Sequence, residues 1–139
     1  MVKASDLMID PEFVQHDDPV EEVVEEFMGA ENTLLVKKDG EVIGEIHEDS
    51  VLKAVVPEER LDEERVTGIL GISFDSGFVP ETAEDLMNEH AVSIDEEETL
   101  GEIAFLMFRE DIRSIPVTEN GEVKGVVHEE RVIKEGDVE

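Results

Sequence analysis

The amino-acid sequence predicts an α+β fold with α/β-type layers, made of two copies of one unit packed with pseudo-twofold symmetry. Three observations lead to this prediction. Short motifs recur in the same order in the two halves of the chain. Each half has an Asp-Gly or Asn-Gly pair between two apolar runs, which is a hairpin signal. Each half also has an apolar face at helical spacing ahead of that hairpin.

Four segments of the first half recur in the second half. One such match would carry little weight, but four in the same order indicate a duplicated unit. The first repeat is therefore assigned to residues 1–57, a connector to 58–81 and the second repeat to 82–139. The matches are Asp6–Met8 with Asp85–Met87, Val14 with Val92, Gly40–Gly44 with Gly121–Gly125, and Gly44–Asp49 with Gly125–Glu130.

Each repeat is predicted to run helix, strand, helix, strand, strand, helix. In the first repeat, Asp18 is the expected N-cap of the second helix, with Pro19 at its first position and Gly29 at its end. The closing helices begin near Glu48 and Glu129, and a connecting helix is expected over 58–70. The predicted strands are 13–15, 33–38 and 41–46 in the first repeat, and 91–93, 114–118 and 122–128 in the second.

An apolar face marks the second helix of each repeat. Because this face carries more apolar surface than one small unit can cover, we expect the protein to form a homodimer. The residues of this face are Val20, Val23, Val24, Phe27 and Met28 in the first repeat, and Leu100, Ile103, Ala104, Met107 and Phe108 in the second.

The chain is strongly acidic, with 39 acidic and 11 basic residues and a formal net charge of -28. Such a surface repels nucleic acid phosphates and anionic membranes, so neither is an expected partner. The acids could bind cations or a basic partner, or form a solvated coat. Their even spread along the chain favours the coat, which is typical of proteins from halophilic archaea.

The remaining composition excludes several classes of protein. Cysteine is absent, so neither a disulfide scaffold nor a thiolate metal site is expected. No apolar run approaches the roughly 20 residues that span a bilayer, and the N-terminal segment does not resemble a signal peptide, which favours the cytoplasm. No catalytic triad motif, glycine-rich phosphate loop or zinc signature occurs, so we predict no catalytic residues, no metal site and no enzyme activity.

At these positions the sequence resembles the CBS-domain pair, or Bateman module. The shared features are the pairs Leu7-Met8 and Leu86-Met87, the triplets Leu34-Leu35-Val36 and Ile115-Pro116-Val117, and the segments Gly44-Glu45-Ile46 and Gly125-Val126-Val127. The resemblance implies a regulatory module that binds a small ligand, an adenine nucleotide or an S-adenosyl compound, between its repeats. It also implies a homodimer that acts on a regulated partner protein. The alternative is an interaction or oligomerisation module without a ligand.

Two positions in each repeat depart from the family pattern. That pattern has Ser or Thr directly after the Gly-x-Val segment and an acid three residues later, which holds the ribose hydroxyls. Here His47 and His128 replace the hydroxyl residue, while Ser50 and Arg131 replace the acid, so weak AMP binding is expected. The histidines could contact a ligand, pack at the helix start or bind a metal. Arg131 could bind an anion or pair with a nearby Glu.

The resemblance places a ligand in a cleft between the repeats, walled by strand starts and strand ends. The backbone amides of Ile115 and Val117 are expected to face that ligand. The predicted ligand-binding residues are Val14, Leu34, His47 and Ser50 of the first repeat, and Val92, Ile115, Pro116, Val117, His128 and Arg131 of the second.

Overall fold

The computed structural model of the chain describes residues 1–30, 33–55 and 80–136. The predicted connecting helix over 58–70 lies outside the described residues. Among the described helices, none is both long and apolar enough to cross a membrane. The elements are α1 Ala4–Leu7, β1 Phe13–Gln15, α2 Val20–Gly29, β2 Leu34–Lys38, β3 Glu41–Ile46, α3 Glu48–Val55, α4 Ala83–Leu86, β4 Asn88–Glu89, α5 Leu100–Glu110, β5 Ser114–Glu119, β6 Glu122–His128 and α6 Glu129–Glu135.

The two hairpins have the same geometry, which confirms the predicted duplication. Both turns have positive φ at their central residues: 52° and 81° at Asp39-Gly40, and 52° and 82° at Asn120-Gly121. This is the backbone that a tight hairpin turn of these residue types requires. Val36 pairs with Gly44 and Val117 pairs with Gly125, and each ladder shifts register directly after that valine. Val36 and Val117 therefore occupy equivalent positions, as predicted.

The first helix of each repeat packs in the core of the other repeat. Ala4 and Leu7 of α1 are buried in a core whose other buried residues belong to the second repeat, and Ala83 and Leu86 of α4 are buried in a core whose other buried residues belong to the first. The backbone follows the same arrangement, because β4 pairs with β3 and Ile9 forms a bridge with Val126. The two repeats are thus joined through both of their cores.

The sheet of each repeat receives its outer strand from the segment before the second helix. In the first repeat β1 runs parallel to β2 and pairs Val14 with Val36. In the second repeat Ile94 makes the equivalent parallel bridge with Val117. The predicted match of Val14 with Val92 is therefore wrong by two residues, and no strand forms over 91–93. Side chains alternate in direction along an extended chain, so residues 92 and 94 face the same side. The apolar pattern alone therefore does not show which of the two matches Val14.

The start of α2 also differs from the prediction. Its N-cap is Pro19, without a side-chain hydrogen bond, and the helix begins at Val20. The Asp18 carboxylate instead accepts the backbone N–H of Gln15 at 2.9 Å, so it closes the preceding turn and does not cap the helix. In α5 the expected kind of cap is present, since Thr99 accepts the N–H of Glu102 at 3.3 Å.

The apolar faces of α2 and α5 are only partly buried. Val23 and Ile103 lie fully inside the two cores, whereas Met28 is 80% exposed and Phe108 is 90% exposed. Met28 and Phe108 therefore belong to the predicted apolar faces but lie outside the cores. Each follows a residue that packs inward, Phe27 or Met107, and one residue turns an α-helix by about 100°. The predicted faces are wider than the stripes that contact the sheets.

Candidate functional site

A cleft of about 440 Å³ lies between the two repeats. Both repeats contribute to its walls, and its volume falls within the range of about 300–1,000 Å³ that is usual for small-molecule sites. The cleft is lined by Phe27, Ala30, Thr33, His47, Glu48, Arg113, His128, Glu129 and Glu130.

Hairpin register brings most of these residues together. In an antiparallel ladder the start of one strand lies beside the end of the next, and Ser114 accordingly pairs with His128. In the first repeat Leu34 pairs with Ile46, which puts Thr33 and His47 at the same end of their hairpin. The closing helices α3 and α6 begin immediately after the two histidines. The open ends of both hairpins therefore line the cleft.

A hydrogen bond between two lining residues crosses the cleft from one repeat to the other. Thr33 Oγ1 and His128 Nδ1 are 3.0 Å apart. The equivalent pair, by the pseudo-twofold, is Ser114 and His47. There Ser114 Oγ and His47 Nδ1 are both buried and have no hydrogen-bond partner among the described residues. A buried polar atom is costly to leave without a partner, and of these two residues His47 also lines the cleft.

A buried carboxylate lies behind the cleft. Glu45 of β3 is 0% exposed, and its oxygens accept the backbone N–H of Arg113 at 3.0 and 3.1 Å and that of Ser114 at 3.3 Å. The second repeat has Val126 at the equivalent position, so this contact has no symmetric counterpart. Glu45 therefore fixes the start of β5 against the end of β3.

His90 supplies a further hydrogen bond to Glu45. Its Nε2 lies 2.9 Å from Glu45 Oε1, and its Nδ1 lies 3.2 Å from the backbone N of Val92. Because the Val92 N–H donates to Nδ1, that nitrogen carries no proton, and Nε2–H is the donor to Glu45. All the described hydrogen-bond donors to this carboxylate, two backbone N–H groups and one imidazole, belong to the second repeat.

Arg113 links the cleft to both closing helices. Its guanidinium Nη2 donates to Asp49 Oδ2 of α3 at 3.2 Å, and its carbonyl oxygen accepts the N–H of Glu129, the first residue of α6, at 2.8 Å. Together with the bond from its own N–H to Glu45, this gives Arg113 three fixed partners. These three bonds connect the cleft lining to β3 and to both closing helices.

Both cleft histidines resist protonation. Burial lowers the pKa of His128 to about 4, although the nearby carboxylates of Glu45 and Glu130 act in the opposite direction. Burial also lowers the pKa of His47, again against the influence of Glu45. At neutral pH the two imidazoles are therefore uncharged and can each donate one hydrogen bond and accept another.

Of the residues predicted from the sequence to bind a ligand, His47 and His128 line this cleft. Leu34, Ile115 and Val117 lie in the two hydrophobic cores, and Val92 packs against the second core. Pro116 is buried within β5. Val14 lines a separate depression of about 380 Å³ in the first repeat, together with Phe13 and acidic side chains of α2 and the preceding turn.

The two residues at the ribose-acid positions have partners within the protein. Ser50 is buried, and its Oγ accepts the backbone N–H of His47 at 3.2 Å. Arg131 Nη2 donates to the carbonyl oxygen of Asp6 at 3.5 Å and lies 4.0 Å from Glu135 Oε1. Arg131 thus contacts α1 and a Glu on its own helix.

The predicted ligand readout by the amides of Ile115 and Val117 is not supported. Ile94 donates its N–H to the Pro116 carbonyl, and its own carbonyl accepts the N–H of Thr118. Residues 116 and 118 therefore hydrogen-bond on the outer edge of β5. The direction of the backbone N–H and C=O groups alternates along a strand, so the N–H groups of Ile115 and Val117 point toward β6.

Sequence reasoning missed Thr33, Arg113 and Glu45. The hairpin turns could have located the first two, because an Asn-Gly or Asp-Gly turn fixes which residues lie beside the histidines at the open end. No local pattern distinguishes Glu45 from the many exposed acids of this chain, because its partners are more than 40 residues away. Within the described residues, no group of three or more acidic, His or Cys side chains could hold a metal ion.

The fold and the cleft together define a duplicated α+β module with a cleft between its repeats. The family model of the CBS domain matches the chain twice, over residues 4–57 and 83–137. The chain therefore belongs to the CBS-domain family, as a tandem pair. No significant match to a curated protein sequence was found.

Solved structures of other CBS proteins share the fold over almost their full length. CBSX2 in complex with AMP is 16% identical, with a TM-score of 0.70 over 96% of this chain and 95% of that one. A CBS domain-containing protein from Thermotoga maritima is 20% identical, with a TM-score of 0.68 over 99% and 98%. The CBS domain pair of protein MJ0100, in complex with 5′-methylthioadenosine and S-adenosyl-L-methionine, is 18% identical, with a TM-score of 0.69 over 96% and 94%.

Proposed function

We propose that this protein is a regulatory module, not an enzyme, and that it senses an adenosyl compound bound in the cleft between its repeats. The observation that carries the proposal is a cleft of about 440 Å³ whose walls come from both repeats. A ligand bound there contacts both repeats at once, so its binding energy depends on how they are packed. The AMP, 5′-methylthioadenosine and S-adenosyl-L-methionine bound by proteins of the same fold support the class of ligand.

The regulatory step follows from the contacts around Arg113. A ligand that binds one packing of the repeats more tightly than another shifts the population toward it. Bonds from Arg113 to Glu45, Asp49 and Glu129 tie the cleft to β3, α3 and α6. A change at the cleft therefore reaches the outer helices, where we propose that a cytoplasmic partner protein reads it.

Calorimetry tests this proposal. We expect binding of adenosine, AMP or S-adenosyl-L-methionine to purified protein in molar salt, and a loss of about two- to tenfold in affinity for His47→Ala, the usual cost of one neutral hydrogen bond. His16→Ala is the matched control, because His16 is a partly exposed residue bonded to Glu84 outside the cleft lining. Absence of binding by all three compounds would refute the proposed function.

An interaction or oligomerisation module without a ligand is the second candidate. It is favoured by large apolar side chains that stay exposed on the helices, namely Met28 on α2, Leu52 and Val55 on α3, Phe105 and Phe108 on α5, and Ile133 on α6. Apolar surface of this kind marks protein contacts. We propose that it forms a homodimer interface, with or without a ligand.

Light scattering in molar salt tests the homodimer. The variant Met28→Ser/Phe108→Ser removes two side chains that make little contact within the monomer, so we expect a monomer with an unchanged circular dichroism spectrum. Glu119→Ser at the exposed hairpin turn is the control and should remain dimeric. A wild-type protein that is monomeric at all micromolar concentrations would contradict the dimer.

A further inference from the structure

Most of the charged residues that line the cleft are acidic. Among the described lining residues, three carry carboxylates, Glu48, Glu129 and Glu130, and one carries a permanent positive charge, Arg113. The Arg113 guanidinium is already paired with the carboxylate of Asp49 at 3.2 Å. The described lining therefore has no unpaired cation to offer an anionic ligand.

Other sources of positive potential are also weak at this cleft. Burial lowers the pKa of both His47 and His128, so neither imidazole is charged at neutral pH. The helix starts that open on the cleft could attract anions through their backbone N–H groups. Here the first turns of α3 and α6 already hold acidic residues, Glu48 and Asp49 in one and Glu129 and Glu130 in the other.

We infer that the cleft selects neutral or cationic adenosyl compounds, such as a nucleoside, a thioether or a sulfonium, and rejects nucleotides that carry phosphate. This inference rests on the proposed function and adds the charge of the ligand to it. A phosphate would be placed among carboxylates without a free partner, whereas a sulfonium would be attracted by the same groups.

The expected size of the selection follows from Coulomb's law. Two like charges about 6 Å apart weaken binding about threefold even with the dielectric constant of water, and by more beside a protein wall. A doubly charged phosphate facing several carboxylates should therefore bind at least about tenfold more weakly than the same nucleoside without it. The difference should shrink as salt rises, because the Debye length falls to about 3 Å at 1 M.

Two matched pairs of compounds isolate the charge. Adenosine and AMP differ only by the phosphate, and S-adenosyl-L-methionine and S-adenosyl-L-homocysteine differ by a methyl group and one positive charge. We expect adenosine to bind at least about tenfold more tightly than AMP, and the sulfonium to bind more tightly than the thioether. The titrations are run at the lowest salt that keeps the protein folded and again in 2 M salt, where both preferences should narrow.

Two double variants test whether the preference for adenosine over AMP arises from the cleft. Glu129→Gln/Glu130→Gln removes two negative charges from its lining, and we expect it to lower the ratio of adenosine affinity to AMP affinity at least about threefold. Glu119→Gln/Glu122→Gln removes the same charge at the far end of the β5-β6 hairpin. Six residues of strand, or about 20 Å, separate Glu122 from His128, which exceeds the Debye length at physiological salt.

The outcomes separate the two proposals. Adenosine selection that is relieved by the cleft variant and not by the hairpin variant supports the inference. AMP binding as tight as adenosine binding, or equal relief by both variants, overturns the charge selection and leaves the adenosyl-binding function in place. Failure of all four compounds to bind overturns the function itself.

Discussion

Gly125 lies directly against Met8, so that a Cβ atom placed on this glycine would be 2.9 Å from the Met8 sulfur. Gly44 and Met87 repeat the contact, with a corresponding distance of 2.8 Å. In each case the glycine belongs to one repeat and the methionine to the other. The Leu-Met pair and the Gly-x-Val/Ile segment, two separate motifs of the sequence, are therefore two sides of one contact.

Alanine at either glycine should destabilise the protein. The nearest atom to a new Cβ at Gly44 is the backbone oxygen of Asn88, at 2.7 Å, whereas the three nearest atoms at Gly125 all belong to the Met8 side chain. Because a side chain can move aside more easily than backbone, Gly44→Ala should be the more destabilising change. We expect a loss of about 1–3 kcal/mol, as for other overpacked cores. Urea unfolding at one salt concentration measures it. Gly101→Ala in α5, where a Cβ meets nothing within 4 Å, is the control, and a similar loss there would contradict the steric argument.

Glu45→Gln should also be strongly destabilising. The amide nitrogen of Gln cannot accept a hydrogen bond, so at least one of the N–H donors from Arg113, Ser114 and His90 would lose its partner in a buried site. The expected loss in unfolding free energy is about 2–4 kcal/mol. Glu41→Gln, at the exposed start of the same strand, should change stability by less than about 0.5 kcal/mol. Equal effects of the two variants would show that the Glu45 contacts do not hold the repeats together.

Protonation of His128 should destabilise the fold in mild acid. Its pKa is lowered from 6.5 to about 4 in the folded protein, so the unfolded chain binds the proton first as the pH falls. Stability contributed by the neutral imidazole is complete above pH 6.5 and is lost progressively down to about pH 4, by at most about 3 kcal/mol.

His128→Asn is the matched variant for this measurement, because its amide can keep a hydrogen bond to Thr33 and does not titrate. The many surface carboxylates titrate in the same way in wild type and variant. Their contribution therefore cancels in the difference between the two unfolding free energies. That difference should move in favour of the variant as the pH falls from about 6.5 to 4. A difference that does not change with pH would mean that His128 has the same pKa in the folded and the unfolded protein.

Salt should stabilise the protein over a wide range. The formal net charge of -28 on 139 residues creates repulsion between exposed carboxylates that dissolved ions screen. We expect the melting temperature to rise from dilute to molar salt. A flat or falling melting temperature would contradict the prediction that the acidic surface is an adaptation to high salt.

The fold could be predicted because its determinants are local. Asp39-Gly40 and Asn120-Gly121 each specify a tight turn through two positive φ angles, and the repetition of the surrounding apolar pattern specifies two equal units. The strand at Ile94 was misplaced because Val92 and Ile94 lie on the same side of an extended chain. Which members of the predicted helix faces are buried could not be predicted, and Met28 and Phe108 are exposed, because helical spacing shows which residues share a face but not how wide the covered stripe is.

The site could be predicted only in part. His47 and His128 stand out because each follows a recognisable Gly-x-Val/Ile segment and replaces the expected hydroxyl residue. The roles of Glu45 and Arg113 depend on partners in the other repeat. The sequence around Glu45 does not distinguish it from the other acids of the chain, which has 39 acidic residues. Its burial and its hydrogen bonds to the backbone N–H groups of residues 113 and 114 leave no local pattern.

The exchange of first helices between the two cores has a consequence for how the chain unfolds. Within one chain it is the arrangement that a domain-swapped dimer has between two chains. A single copy of the unit would expose the core that the other copy's first helix now covers. Neither half can therefore lose its structure without uncovering the core of the other, and the two halves should unfold in one cooperative transition.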